Sequence, residues 1–323
     1  MSVLTPVYNG EDYLAQCIES VLAQDYKEWE YTIVNNCSTD RTLEIAESYA
    51  RREPRIQVRT NSAFVGAIEN HNIAFKLVSK RSKYCKIVSA DDWIMVDCLR
   101  KMVQLAEAHP TVGIVGCYQR SGNDVRWQGL PTTVSVIPGR DAGRLGLLKD
   151  IHVLGTPTSV LYRADLVRAR KSFFPHTMAH ADTSVCYECF QSCDFGFVHE
   201  VLCTERVHAE QWSAKMDRLS SWSVAYLDLM LRYGSLYMSE SEFAVRRREV
   251  FEEYYRFLGR CVLKLKGREF WSFHRERAHE LGWQIDWSKV LIAAVKDALT
   301  ESRNPVTALR ICMRAIKSRF RAD

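Results

Sequence analysis

Up to about Gly116, short apolar runs alternate with stretches in which apolar positions recur every three or four residues. The runs are Val3-Leu4-Thr5, Tyr31-Thr32-Ile33-Val34, Ile56-Gln57-Val58, Tyr84 to Val88 and Val112 to Cys117. They are brief and rich in β-branched and aromatic residues, which predicts buried strands. Between them, Glu11 to Ala23 lines up Leu14, Ile18, Val21 and Leu22 on one face of a helix. Ser38-Thr39-Asp40 offers N-cap chemistry for a second helix carrying Leu43, Ile45, Ala46 and Tyr49. Gly66 to Val78 and Val96 to Ala108, the latter stopped before Pro110, predict two more. Strands separated by helices of this length need crossover connections, so the pattern predicts an α/β fold with a mostly parallel central sheet flanked by helices.

The pattern then changes. Glycines and prolines at 122, 129, 131, 138, 139, 143, 146 and 155 mark residues 118–160 as turns and loops, ending in a strand at Val160-Leu161-Tyr162. Ala181 to Cys193 reads as a helix, and Gly196-Phe197-Val198 and Glu200-Val201-Leu202 read as extended. From Ser213 the chain reads as all-helical, with Trp283 and Trp287 expected in its core. The boundary is placed near 213, giving a first domain over 1–213 and a helical C-terminal region over 214–323. In the tail, Arg310, Arg314, Lys317, Arg319 and Arg321 interleave with Leu309, Ile311, Ile316 and Phe320. A basic amphipathic helix of this kind suits peripheral contact with an anionic membrane; the plainer reading is a solvated face packed on the first domain.

Composition narrows the classes. A chain of 323 residues with 47% hydrophobic and 26% charged residues can bury a sizeable core. The net charge of +5 favours phosphorylated ligands and is too small to indicate a nucleic-acid partner. Eleven scattered cysteines without a small-domain disulfide pattern fit a reducing, cytoplasmic compartment. The apolar run Val290 to Val295 is far short of the roughly 18–20 residues that span a bilayer. Cys186, Cys189 and Cys193 fall on one face of the predicted helix and lack a second Cys pair, so they read as buried thiols rather than a zinc site.

Candidate chemistry sits at the C-terminal ends of the predicted strands, where open α/β sheets bind ligands. Ser89-Ala90-Asp91-Asp92 follows one strand. Two adjacent carboxylates there suit a hard divalent cation shared with a diphosphate. Thr5 to Glu11 follows the first strand, and its Tyr8-Asn9 pair can stack on and hydrogen-bond a planar ring. Asn35 to Asp40 follows the second, with side-chain amides and a helix N-terminus that can meet a base edge or a phosphate. An ordinary capped turn explains either loop equally well on its own. His71, between Asn70 and Asn72, reads as a structural group.

Taken together, these segments resemble family 2 glycosyltransferases, enzymes of the GT-A fold that use nucleotide sugars. Pro6-Val7-Tyr8-Asn9-Gly10 looks like the family's Pro-x-Tyr-Asn start, and Ile33 to Asp40 like its hydrophobic-Asp-Asp-Gly-Ser-Thr-Asp loop. Asn61 to Ala74 is similar to its Asn-rich third loop and helix, and residues 89–92 stand at its Asp-x-Asp-Asp position. His180-Ala181-Asp182 resembles its Glu-Asp motif, and Arg206-Val207-His208 its Arg-x-His motif. The resemblance covers about two-thirds of the chain and implies a GT-A-type, Rossmann-like domain.

It also implies roles. Pro6, Tyr8, Asn9, Glu11, Asn36, Ser38, Asn70 and Asp91 would line the nucleotide sugar, with Asn36 at the base edge. Asp92 and His208 would hold Mg²⁺ or Mn²⁺, and Asp182 would be the general base. The donor would be a nucleoside-diphosphate sugar, UDP-linked, and the acceptor a glycan or lipid-linked hydroxyl in cell-surface polysaccharide synthesis. One base without a second carboxylate nucleophile implies a single displacement with inversion. Three positions depart from the family pattern. Asn35 and Asn36 stand for aspartates, Cys37 for a glycine, and Ser89 for the first aspartate of the metal motif. Any positive φ at Cys37 would carry strain. These departures keep open a second reading, a catalytically degenerate nucleotide-sugar-binding module.

Overall fold

All six residues of strand β1 (Ser2–Val7) are buried, the state of a strand with partners on both edges and cover on both faces. In the computed structural model, which describes residues 1–149, 154–176, 180–208 and 211–301, β1 pairs in parallel with β2 (Glu30–Asn35). β2 in turn pairs in parallel with β3 (Ile56–Thr60). On its other edge β1 pairs in parallel with β4 (Tyr84–Ile87). The remaining strands are β5 (Trp93–Ile94), β6 (Val112–Ser121), β7 (Asp124–Arg126), β8 (Val136–Ile137), β9 (Val160–Arg163) and β10 (Asp194–Glu205). The main path runs β3-β2-β1-β4-β9-β6-β10-β5.

The sheet is mixed. β9 runs antiparallel between β4 and β6, while β6 and β10 form a long parallel ladder. Two reversals leave β6 and β10 pointing the same way as β1, β2 and β4. The C-terminal ends of these five strands therefore share one edge. β5 pairs antiparallel with the end of β10, Ile94 opposite Cys203 and Trp93 opposite Thr204. That pairing brings the turn just before Trp93 beside the exit of β10.

Helices α1 (Leu14–Leu22), α2 (Thr42–Ala50), α3 (Ala67–Lys76), α4 (Cys98–Ala108), α5 (Gly139–Lys149), α6 (Ala164–Arg168) and α7 (Ala181–Cys189) belong to the same unit. Leu14, Cys17, Ile18 and Val21 of α1 and Leu99, Met102 and Val103 of α4 share a core with Val3, Tyr31, Ile33 and Val115 of the sheet. Each such aliphatic side chain stabilises the fold by about 1.5–3 kcal/mol when fully buried. α5 lies in the segment expected to be loop. Its glycines weaken helix propensity, but Gly139 starts it in tight contact: a Cβ there would stand 2.0 Å from the Cys193 carbonyl oxygen. β10 joins the two short extended runs into one strand, with register shifts where His199 and Glu200 bulge out of the ladder to β6. α7 ends at Cys189, short of the expected Cys193.

The chain divides into two compact units, Met1–Val207 and His208–Asp323, where the sequence placed a boundary near 213. The second is helical: α8 (Trp212–Arg218), α9 (Ser221–Tyr237), α10 (Glu240–Leu263), α11 (Arg268–Glu280) and α12 (Trp287–Glu301). A capping box starts α10, Ser239 accepting from the Glu242 N–H and Glu242 accepting from the Ser239 N–H. Gly259 lets α10 approach α12 closely, since a Cβ there would meet the Ala294 nitrogen at 2.7 Å. Trp283 and Trp287 are half-buried rather than fully enclosed, Trp283 against Phe251 and Tyr254 and Trp287 against Trp271. Among the described residues no helix is long and apolar enough to cross a membrane. The basic tail from Pro305 lies outside the described residues.

Candidate functional site

The acidic turn forms where β4 leaves the sheet. The Asp92 N–H donates to the Ser89 carbonyl at 3.0 Å, closing the turn. Asp92 is only 4% exposed. Its Oδ2 lies 2.5 Å from Thr158 Oγ1, and its Oδ1 accepts the Arg206 backbone N–H at 3.3 Å. Thr158 Oγ1 also accepts the Ser89 N–H at 3.0 Å and stands 3.1 Å from Ser89 Oγ. Thr158 belongs to the 157–159 turn that leads into β9. The side chain of Ser89, where an aspartate would be usual, therefore lies against a hydroxyl.

Burial pushes the Asp92 carboxyl well above the usual carboxylate range, and the neighbouring Asp91 charge pushes the same way. Thr158 and the Arg206 N–H oppose this, and Glu205 adds to it. No Lys, Arg or His side chain among the described residues forms an ion pair with Asp92. A cation beside the pair would reverse the balance, so this donor set fits a hard divalent ion. Among the described residues no group of three or more His, Cys, Asp or Glu is arranged to hold a metal. An ion here would have to share its coordination with a ligand's oxygens, as Mg²⁺ and Mn²⁺ do with diphosphates. His208 opens the second unit, where its N–H donates to Gln211 Oε1 at 3.1 Å.

Arg206 braces the acidic turn from the exit of β10. Its Nε donates to the Asp91 carbonyl at 3.2 Å, its Nη2 to Gln16 Oε1, and its guanidinium lies over the rings of Tyr13 and Trp93 at 4.8 and 5.1 Å. It thus ties α1 and the exit of β10 to the acidic turn.

The first two loops are cross-linked through expected ligand-binding residues. The Asn9 N–H donates to Ser38 Oγ at 3.0 Å, and Asn9 Oδ1 accepts the Thr39 N–H at 2.9 Å. Glu11 Oε2 accepts the Arg41 N–H at 2.9 Å, and the Glu11 N–H donates to Asp40 at 3.0 Å. Pro6 is buried inside β1, opposite Val34. Cys37 has φ +57°, the conformation in which a residue other than glycine is strained.

Asn36, expected at the base edge, faces the third loop. It is 2% exposed, and its Oδ1 accepts both the Val65 N–H at 3.0 Å and Asn61 Nδ2 at 2.9 Å. Its Nδ2 donates to the Val65 carbonyl at 2.8 Å. Both its side-chain oxygen and its amide are engaged, so Asn36 clamps the third loop. Asn70 is likewise buried, its Oδ1 accepting from Asn61 Nδ2 at 2.9 Å. The clamp has a visible consequence beside Val65. Phe64, 61% exposed, meets the 48% exposed Tyr8 edge-on, with ring centroids 4.8 Å apart. Phe64 was not a sequence candidate. The available signal was an aromatic in a loop otherwise made of small and polar residues.

Asp182 lies in the first turn of α7, half-buried. Its charge reaches His71 of α3, where it and the Ala67 carbonyl oppose the larger effect of burial, which lowers the imidazole's proton affinity. The neighbouring Asn72 grips the main chain of Phe174 in both directions, at 2.9 and 2.8 Å. The Asn-rich helix α3 thus fixes both the loop beside Tyr8 and the segment on the way to Asp182.

Comparison with known proteins bears on the family and the fold. A family model described as "Glycosyl transferase family 2" matches residues 2–170. The chain is 34% identical over 125 residues to the uncharacterized glycosyltransferase EpsJ of Bacillus subtilis, covering 38% of this chain and 35% of EpsJ. It is 26% identical over 185 residues to the poly(ribitol-phosphate) β-N-acetylglucosaminyltransferase TarS of Staphylococcus aureus, covering 56% of this chain and 30% of TarS. The chain therefore spans about a third of the length of these relatives. Its fold matches the crystal structure of TarS 1–349 with UDP at a TM-score of 0.61 and 20% identity, over 86% of this chain and 79% of that one. It also matches the Pyrobaculum calidifontis mannosyltransferase PcManGT with GDP-Man and Mn²⁺ at 0.59 and 17% identity, over 98% and 79%. At these identities the structural likeness speaks for the fold.

Proposed function

Because the chain belongs to glycosyltransferase family 2, we propose that it transfers a sugar from a nucleoside-diphosphate donor, UDP-linked, to an acceptor hydroxyl with inversion at the anomeric carbon. The observation that carries the proposal is the buried Asp92 beside Asp91 at the exit of β4, with main-chain and hydroxyl donors but no cationic partner among the described residues.

In this reading the base of the donor lies against Tyr8 and Phe64, and the Asn9, Glu11 and Ser38 loops frame the ribose and diphosphate. Asp92, with Asp91, would hold Mg²⁺ or Mn²⁺, which would supply Lewis-acid stabilisation of the leaving diphosphate. Arg206 and Thr158 keep the acidic turn in place. Asp182 accepts the proton of the acceptor hydroxyl as that oxygen attacks the anomeric carbon and the bond to the diphosphate breaks. A single displacement of this kind inverts the configuration. The acceptor is a cell-surface glycan or lipid-linked chain, by analogy with the polymer in TarS's name. The basic residues from Arg310 to Arg321 suit work at the inner face of a membrane.

The test is a screen of nucleotide sugars for Mn²⁺-dependent hydrolysis, followed by Asp92→Ala and Asp182→Asn. We expect Asp92→Ala to lose metal-dependent turnover. Asp182→Asn should lower kcat for transfer about 100-fold or more while leaving donor binding intact. Near wild-type transfer by Asp182→Asn would remove Asp182 from the role of base. Nucleotide binding without turnover on any donor would favour the binding-module reading, which the hydroxyl environment of Ser89 supports.

A further inference from the structure

Lys86 stands on β4 with none of its surface exposed. An ammonium group shut away from water is unfavourable unless its protons are well used. No carboxylate pairs with it among the described residues. Instead Nζ donates to the main-chain oxygens of Thr158 at 2.5 Å and Val160 at 3.3 Å. Its other neighbours include the thiols of Cys98, Cys117 and Cys203, whose thiolate forms its charge favours. The polar end of this buried side chain is therefore directed at one short stretch, the 157–159 turn and the start of β9.

Thr158 is also the residue whose hydroxyl meets Asp92 and Ser89. The turn is thus fastened at two points along one strand's path. Lys86, inside β4, holds its carbonyl oxygens, while Ser89 and Asp92, just beyond the end of β4, meet its hydroxyl. We propose that Lys86 is a positioning residue for the acidic turn. Its ammonium anchors the 157–159 turn against β4, so that the Thr158 hydroxyl sets the Asp92 carboxyl and the Ser89 backbone in place. An apolar side chain of similar length would fill the core equally well but could not hold the carbonyl oxygens of Thr158 and Val160. A shorter polar side chain could not reach both. That the positioned turn is the cation–diphosphate site rests on the function proposed above.

The experiment uses the full chain and the variants Lys86→Met, Thr158→Val and their combination. Two readouts are taken: amide hydrogen exchange at Ser89, whose N–H donates to Thr158 Oγ1, and the Kd for Mn²⁺–UDP by calorimetry. We expect Lys86→Met to fold, with exchange at Ser89 at least tenfold faster and exchange at Val88, bonded to the Leu4 carbonyl, unchanged. Mn²⁺–UDP should bind about tenfold more weakly. Thr158→Val should match both effects, Thr158→Ser should restore them, and the double variant should be no worse than either single one, because the two residues act in series. Wild-type exchange at Ser89 in Lys86→Met, or fully additive losses in the double variant, would overturn the proposal. If Lys86→Met does not fold, Lys86→Gln, whose amide can reach one carbonyl, should give an intermediate loss; unchanged Ser89 exchange there would also overturn it. Absence of Mn²⁺–UDP binding to the wild type would count against the proposed function instead, and Ser89 exchange alone would then decide the role of Lys86.

Discussion

At Cys37 the chain accepts a left-handed backbone that its side chain disfavours. The cost for a residue other than glycine is about 1–2 kcal/mol, and the compensation in view is a hydrogen bond from Sγ to the Asn61 carbonyl at 3.2 Å. Cys37→Gly removes the strain but adds about 0.5–1 kcal/mol of chain entropy to the unfolded state. The net expectation is a gain of up to about 1 kcal/mol, read as a higher denaturant midpoint with an unchanged slope; a loss of stability would mean that the thiol contact matters more than the backbone. Phe64 shows the opposite relation between a residue and the fold. At 61% exposure it holds little together, so Phe64→Ala should change stability by no more than about 0.5 kcal/mol. If it forms a corner with Tyr8 for a base, the same change should weaken binding of both UDP and GDP about tenfold. Stacking on an aromatic ring is worth about 1–3 kcal/mol and tolerates any base. Unchanged affinity in equilibrium dialysis would exclude it from the nucleotide site.

Among the elements, α11 carries a clear pH signature. His274 is wholly buried; its Nε2–H donates to the Leu219 carbonyl at 2.9 Å, and the Tyr254 hydroxyl donates to Nδ1 at 2.7 Å. Burial is the main reason its pKa falls from 6.5 to about 4. The folded state therefore binds fewer protons than the unfolded chain between these values. Stability from this group is present above pH 6.5 and is lost as pH falls toward 4. At ~1.4 kcal/mol per pH unit the loss amounts to roughly 3 kcal/mol. Acid titration of the second unit's helical signal should show this slope between pH 6.5 and 4, and His274→Gln should flatten it. Other elements show how local pattern and packing divide the work. β1, α1 and α4 follow their apolar periodicity because their side chains face one shared core. α5 was illegible because its glycines read as breaks, whereas close approach to the 190–193 backbone makes one of them necessary. β10 looked like two fragments because a bulge breaks its alternation, although the ladder to β6 continues across it.

For the whole molecule, the acidic turn should couple folding to ligand. Mn²⁺ with UDP at 100 times Kd stabilises a protein that binds only when folded by about 2.7 kcal/mol. Scanning calorimetry should show a rise of several degrees in Tm with both present, and no rise for Asp92→Ala. An equal rise in the presence of EDTA would show that the nucleotide binds without the cation. The linear order of the chain announced much of this molecule. The apolar runs determined an α/β architecture because buried strands and one-faced helices leave distinct periods. The pairs Tyr8-Asn9 and Asp91-Asp92 stand out in the sequence because they follow predicted strands, where open α/β sheets bind ligands, whereas Asp182 is singled out only by the resemblance to family 2 glycosyltransferases. Tertiary structure decided the rest, through contacts between residues far apart in sequence. Antiparallel insertion of β9 makes the sheet mixed and carries Thr158 to Asp92. Val65, brought against Asn36, engages its side-chain oxygen. Lys86, an ordinary charge in the sequence, becomes a buried anchor only because the chain some seventy residues later folds over it. Periodicity is a local property and survives in a single sequence, but a hydrogen bond's partner is chosen by packing.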